Sequence, residues 1–208
     1  MDTIGDSTLT TLQLPASISA SGNNAGIDAR TLIAQGAILM TALKTAGTNP
    51  TLAVKLQHAQ EADLIGTVAY TGTGNGTITE VEAGPDAVAE DITITFSNAT
   101  TAAVVGSVSG ALGTATVGTK FSCAQIAFLL TAGATAWVNL NAFTVPVSVR
   151  TYADVSGGAF TGLTTAASIQ KKALNFDSLG RYLRINYVIG GTTSPAYTVA
   201  IAAQSNTN

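Results

Sequence analysis

Thr51-Leu52-Ala53-Val54-Lys55-Leu56-Gln57-His58 alternates with period two, which puts Leu52, Val54 and Leu56 on one face of an extended chain and Lys55 and Gln57 on the other. A strand with one apolar face requires a second layer to bury it. The alternation recurs far along the chain. Asp91-Ile92-Thr93-Ile94-Thr95-Phe96 follows it strictly, and Arg181-Tyr182-Leu183-Arg184-Ile185-Asn186-Tyr187-Val188 repeats it. Tyr182 and Tyr187 fall on opposite faces of that last strand, so at least one belongs to a core or an interface. Further strands are expected over 78–81, 103–108, 114–117, 126–130 and 142–149. Short strands separated by turn signals at intervals of about eight to twelve residues indicate a sandwich or barrel rather than βαβ units.

The composition agrees with an all-β chain. Of the 208 residues, 46% are apolar and only 10% charged, against roughly 25% charged in an ordinary soluble domain. The surface must therefore be built from Thr, Ser, Asn, Gln, Ala and Gly, which favour turns and pleated surfaces and suit a protein that works in an assembly. A helical bundle would lack the charged outer faces it needs. The net charge is −3, and the nine basic residues are scattered except for Lys171-Lys172. That excludes a duplex-binding stripe, so no nucleic-acid partner is expected. Cys123 is the single cysteine, which excludes an intrachain disulfide and a multi-thiolate metal site. No secretory signal is visible, so cytoplasmic synthesis is expected. The stretch 124–149 carries no charge, but Gln125, Thr131, Thr135, Asn139 and Asn141 interrupt it and Gly133 and Pro146 punctuate it. Buried strands explain it better than a membrane span, and no membrane partner is expected.

Texture changes along the chain suggest one domain inserted in another. Residues 1–26 read as an extended N-terminal arm, ending in Ser21-Gly22-Asn23-Asn24-Ala25-Gly26. Residues 27–66 with 150–208 form the host, a jelly-roll-like β-sandwich. Residues 67–149, rich in Gly and Thr, form an inserted small β-barrel or sandwich, and insertion at an exposed turn leaves a host core intact. Within the host, 30–44 (RTLIAQGAILMTALK) has Gly36 at its centre and reads as two strands or one bent strand. The segment 175–180 reads as a turn or a single helical turn. Gly190-Gly191-Thr192-Thr193-Ser194-Pro195 reads as the loop of a terminal hairpin joining 181–188 to 197–203.

No chemistry-bearing constellation emerges. His58 is the only histidine, which rules out two-histidine metal arrangements. Glu61-Ala62-Asp63, Glu80 with Glu82, Asp86, and Glu90-Asp91 lack calcium-loop spacing and read as solvated turn carboxylates. Gly72-Thr73-Gly74-Asn75-Gly76-Thr77 resembles a phosphate loop, but strand rather than helix follows and no Lys comes before Lys120, so its glycines read as turn residues. Trp137 and the five tyrosines are too dispersed to define a sugar-stacking platform. No catalytic residue, cofactor or metal is expected.

Two nested parts of the chain resemble virion proteins of tailed bacteriophages. LAVKLQHAQEAD (52–63) with RYLRINYVIGG (181–191) resembles the jelly-roll-like capsid decoration, or cement, proteins. GTGNGTITEVEAGPDA (72–87), GTATVGTKF (113–121), LLTAGATAW (129–137) and AFTVPV (142–147) resemble a small β-domain of phage head-decoration proteins. The chain departs from the second pattern at Asn139-Leu140-Asn141, where a Gly-Asp is usual. The resemblance implies a non-enzymatic homotrimer on the outer capsid surface of the virion, clamping neighbouring major capsid protein subunits, with a weak glycan contact through the inserted domain. Interface residues are expected on the two strands that carry the resemblance, at Lys55, His58, Arg181, Arg184 and Tyr187. Either one of the two arginines meets an interfacial carboxylate or both are surface charges beside a core strand. The alternatives are a tail, baseplate or fibre module, or a host-glycan-binding β-sandwich.

Overall fold

The computed structural model describes residues 7–206 except 33, 61 and 63. Its strands are β1 (Ser7–Ile18), β2 (Gly22–Asn23), β3 (Ile27–Asp28), β4 (Gln35–Ala59), β5 (Ala69–Thr71), β6 (Thr77–Ala83), β7 (Glu90–Phe96), β8 (Thr101–Gly106), β9 (Gly110–Thr116), β10 (Lys120–Ser122), β11 (Ile126–Thr131), β12 (Ala142–Val147), β13 (Ala153–Ala159), β14 (Ser168–Asn175) and β15 (Tyr182–Asn206). The helical element among the described residues is one 3-10 turn, Phe176–Ser178, capped by the Asn175 side chain. The protein is all-β and sandwich-like, as its alternating segments require. Two compact units divide it, Met1–Glu61 with Tyr152–Asn208, and Ala62–Thr151.

The first unit is built on two strands of 25 residues each, β4 and β15, paired antiparallel along nearly their whole length. Straight, each would span roughly 80 Å, more than twice the ~30 Å of a small domain. They are instead interrupted midway. Register shifts fall between Gly190 and Tyr197, opposite Lys44–Thr51. Gly47 (φ +99°) and Gly191 (φ +117°) adopt backbone conformations that disfavour a side chain, and Asn49, Thr193 and Ser194 also have positive φ. The two glycines pack reciprocally, Gly47 against Pro195 and Gly191 against Pro50.

One half of this ribbon pairs 182–190 with 51–59 and is flanked by β2, β3 and β13; the other pairs 196–205 with 36–46 and is flanked by β1 and β14. Leu52, Val54, Leu56, Leu183 and Ile185 from the first half share one core with Leu12, Ile38, Met40, Val199 and Ile201 from the second. The Tyr187 hydroxyl bridges the halves by donating to Gln13 Oε1 at 3.0 Å, and that of Tyr197 donates to the Thr164 carbonyl at 2.6 Å.

Two expectations change here. The terminal hairpin is not formed: 182–188 and 197–203 lie in one strand, and both pair with β4. Gly, Pro and φ > 0 residues serve a bend in a ribbon as well as a hairpin turn, so the local signal was real and its meaning different. The arm expected over 1–26 is, over residues 7–18, a strand of this sheet that pairs from Ser7↔Asn206 to Ile18↔Tyr197 and sends Leu12 into the core. Residues 1–6 lie outside the described residues. Over 30–44, one strand is present from Gln35 onward, and Gly36 is required because a Cβ there would strike the Gln204 carbonyl and the Phe176 ring.

The second unit packs a three-stranded sheet, β10-β11-β6, with a five-stranded sheet, β5-β12-β7-β8-β9. Ile92, Ile94 and Phe96 meet Ile126, Phe128 and Leu130 in its core, together with Val104, Phe143, Val145 and Trp137. Residues 64–66 belong to it through Gly66 N–H to the Pro146 carbonyl and Ser148 N–H to the Leu64 carbonyl. Arg150 belongs too, because its buried guanidinium donates to the Gly84 and Ala83 carbonyls at 2.9 and 2.8 Å. The loop Gly72–Thr77 has a packing role: Gly74 and Gly76 lie flat against the Trp137 indole, where a Cβ would collide. Buried Asn141 ties this loop down, accepting from Gly74 N–H, Val138 N–H and the Tyr70 hydroxyl. Glu90 departs from the solvated carboxylate expected. It is buried and accepts hydrogen bonds from Val108 N–H, Ser109 N–H and the Ser109 hydroxyl at 2.8–3.0 Å. Glu61 and Asp63 lie outside the described residues.

Candidate functional site

The five sequence-predicted interface residues do not form one site. Lys55 and Arg184 share the outer face of the first half of the β4-β15 ribbon, where Arg184 is paired with Gln57 in register. Lys55 Nζ donates to Asp154 at 2.8 Å, Gln57 Nε2 donates to the other oxygen of Asp154, and Arg184 Nε donates to Gln57 Oε1 while its guanidinium stacks 4.1 Å over Tyr152. Hydrogen bonds from Lys55 and then Gln57 hold the Asp154 carboxyl below its ordinary range.

The other three residues sit elsewhere in the unit. Arg181 has a buried side chain that reaches Asp28 with Nε and Nη2 at 3.1 and 2.9 Å, and so pins β3 to the start of β15. Burial pushes the Asp28 carboxyl up, but hydrogen bonds from Arg181 and from Arg30 N–H outweigh it and leave the group below its usual range. His58 Nδ1 accepts from Gly180 N–H at 2.8 Å, which places the ring proton on Nε2. Tyr187 is turned into the core, and burial pushes its phenol well up. Arg181, His58 and Tyr187 therefore have intrachain structural partners.

A second surface, which sequence reasoning missed, lies on the outer face of the other half of the ribbon. Residues alternate on β4 so that Ile38, Met40 and Ala42 point into the core and Leu39, Thr41 and Leu43 point out. On β15, Val199, Ile201 and Ala203 point in and Thr198, Ala200 and Ala202 out. The register sets Leu39 beside Ala202, Thr41 beside Ala200 and Leu43 beside Thr198, with Ile169 of β14 next to Thr41. Leu9 and Leu14 of β1 and Ile169 are 71%, 70% and 76% exposed, and Leu39 and Leu43 are 44% and 53% exposed. Two shallow grooves of about 430 and 220 Å³ run across this face and share Pro15, Thr41 and Ala200. Isolated exposed leucines are ordinary, whereas a contiguous apolar sheet face marks a surface that meets another molecule. The sequence signal for it was present: 37–43 is apolar on both faces of its strand, which a solvated sheet would not be.

Among the described residues no group of three or more His, Cys, Asp or Glu side chains is placed to hold a metal ion, and no helix is long and apolar enough to cross a membrane. Trp137 is 2% exposed and stacked on Phe96 at 4.2 Å, so it offers no face to a sugar. The chemistry open to this surface is non-covalent: apolar contact with another molecule.

No protein-family model matches the chain, and no curated protein matches it. Among solved structures, the chain is similar to crystal structures of FlgL from Xanthomonas campestris in two crystal forms. Identity is 16% and 17% over 49% and 55% of this chain, with TM-scores of 0.34 and 0.31. The matches span 34% and 33% of the FlgL chain, about a third of its length. A likeness this slight carries no argument about function.

Proposed function

We propose that this protein is a structural component of a tailed-phage virion that binds the outside of the assembled capsid as a homotrimer and clamps neighbouring major capsid protein subunits. The observation that carries the reading is the exposed apolar face formed by Leu9, Leu14, Leu39, Leu43 and Ile169. A soluble chain that keeps such a face does so to cover it with a partner. The low charge content fits a surface shared among many polar and apolar contacts, where symmetry repeats a weak contact into avidity. A protein that binds only the assembled lattice stabilises it by mass action.

The test is cosedimentation of the purified protein with phage capsids that lack it, quantified per capsid, with light scattering of the free protein. Saturation at three copies per local threefold position together with a raised capsid melting temperature is the expected result. Absence of binding removes the reading.

A further inference from the structure

A strand at the edge of a sheet leaves a row of main-chain N–H and C=O groups unpaired, and native proteins guard such edges by keeping them short, bulging them or charging them. Most edge strands here are guarded in one of these ways. β5 and β10 are three residues long, and β2 and β3 two. β9 is bulged beside Gly113, whose φ is +135°, and β6 is bulged at Glu80, whose φ is +49°. β13 is bulged between Asp154 and Ala159. β14 carries Lys171 and Lys172, and its Gln170 side chain exchanges two hydrogen bonds with the Thr161 main chain, at 2.8 and 2.9 Å. β1 differs. It has no charged residue from Ser7 to Ile18. Its second half is guarded, by register shifts between Thr11 and Ala16, by Pro15, and by Asn24 Nδ2, which donates to the Leu12 carbonyl at 2.6 Å. From Ser7 to Thr11 the pairing with Asn206–Ala202 of β15 is unbroken, and among the described residues no strand pairs with the other side. Leu9, 71% exposed, and exposed Thr11 share one face of this run.

We propose that Ser7–Thr11 is a strand-addition site whose occupant is an extended segment of the shell subunit, paired main chain to main chain with β1. This rests on the capsid-binding reading and names how the contact is made. Alternate residues of a ladder direct both main-chain groups to the same neighbour, so the run offers roughly two or three residues to an incoming strand. Main-chain hydrogen bonds supply affinity in this mode, and alternate side chains supply specificity. The incoming segment lacks Pro at the paired positions and sets an apolar or β-branched side chain beside Leu9. Head-to-tail joining to a second copy is disfavoured because β14, the opposite edge of this half of the sheet, is guarded by Lys171, Lys172 and Gln170. Pairing of β1 with β1 of a second copy closes a twofold pair and does not build a threefold one.

The test measures main-chain amide exchange over residues 7–11 in the free wild-type protein and on phage capsids that lack it, together with capsid binding by two full-chain variants checked for an unchanged thermal melt. Leu9→Lys/Thr11→Lys guards the β1 edge as β14 is guarded. Thr114→Lys/Thr116→Lys adds the same charge to exposed positions of β9 in the other unit. Amides of 7–11 that exchange freely in the free protein should slow by about a hundredfold or more on the capsid. The β1 variant should bind about tenfold more weakly or worse, while the β9 variant binds as wild-type does. Wild-type binding with unchanged exchange over 7–11 overturns this inference and leaves the capsid reading standing, and so does a loss of binding shared equally by the two variants. Exchange in the wild-type protein decides the matter alone if the β1 variant does not fold. No wild-type binding at all overturns both. Protection of 7–11 in the free protein that grows with protein concentration assigns the edge to a second copy and also overturns the inference.

Discussion

Glu90 shows how a residue with an unremarkable sequence context can become structural. Burial pushes its carboxyl up, but the N–H groups of Ser109 and Val108 and the Ser109 hydroxyl outweigh that and hold it below the ordinary range. The carboxylate fits only because position 106 is glycine, where a Cβ would occupy the same space. A carboxyl with a depressed folded value contributes stability that is fully present above its unfolded value, about 4.3, and that is lost as pH falls through the folded value. Asp28, held down by Arg181, acts in the same direction in the other unit. Acid should therefore destabilise the protein below about pH 4. Glu90→Gln keeps an oxygen for the two backbone donors and lets Ser109 turn to accept, so it loses charge assistance rather than geometry. It should cost about 1–2 kcal/mol at pH 7 and flatten the acid limb of the stability profile. Urea midpoints of both proteins from pH 7 to pH 2 measure this, and an acid limb equally steep in the variant would exclude Glu90 as a source.

At the scale of elements, what the sequence disclosed depended on whether one face of a strand was polar. Residues 51–58 and 91–96 alternate because each has one buried and one wet face, and the period of two was legible. Residues 37–43 are apolar inside and outside alike, so the period vanished and the candidate face went unseen. The predicted interface residues were chosen from strands whose polar side chains turn out to bind one another, as Lys55 and Arg184 do through Asp154 and Gln57. The bend in the ribbon was misread as a hairpin because pairing partners more than a hundred residues apart leave no local trace. Its geometry is nonetheless specific. At Gly191, φ is +117° and a Cβ would approach Pro50 Cα to 2.8 Å. Gly191→Ala should destabilise the first unit by about 1–3 kcal/mol, seen as a lowered melting temperature in far-ultraviolet circular dichroism. Gly190→Ala, whose φ is unrestricted and whose nearest neighbour is the movable Thr51 hydroxyl, should cost less. Equal losses at the two positions would mean that the left-handed conformation of Gly191 is not what limits the bend.

For the whole molecule, the chain path implies that each core is sufficient for its own unit. The first unit breaks after Glu61 and resumes at Tyr152, and the strands on either side of that break are already paired, His58 with Ala153 and Gln57 with Asp154. Antiparallel partners of this kind have Cα atoms about 5 Å apart, a gap that a two-residue Asn-Gly turn spans in an ordinary hairpin. Nothing in the first core depends on a residue of 62–151, since Leu52, Val54, Leu56, Leu183, Val199 and Ile201 all come from the host segments. The second core is likewise drawn from its own segment, and it contains the single tryptophan. Replacing residues 62–151 with Asn-Gly should therefore leave a chain that melts cooperatively with strand-type circular dichroism and no tryptophan signal. The excised 62–151 segment should melt cooperatively too, with the blue-shifted emission of an indole enclosed by Gly74, Gly76 and Phe96 that moves to the red on unfolding. Because Trp137 reports on one unit alone, the two melts can be assigned without labels. If the host chain collapses without a cooperative transition while the excised segment folds, the host depends on its insertion for more than chain continuity. If the excised segment emits as an exposed indole from the outset, the enclosure of Trp137 by the Gly72–Thr77 loop depends on the host.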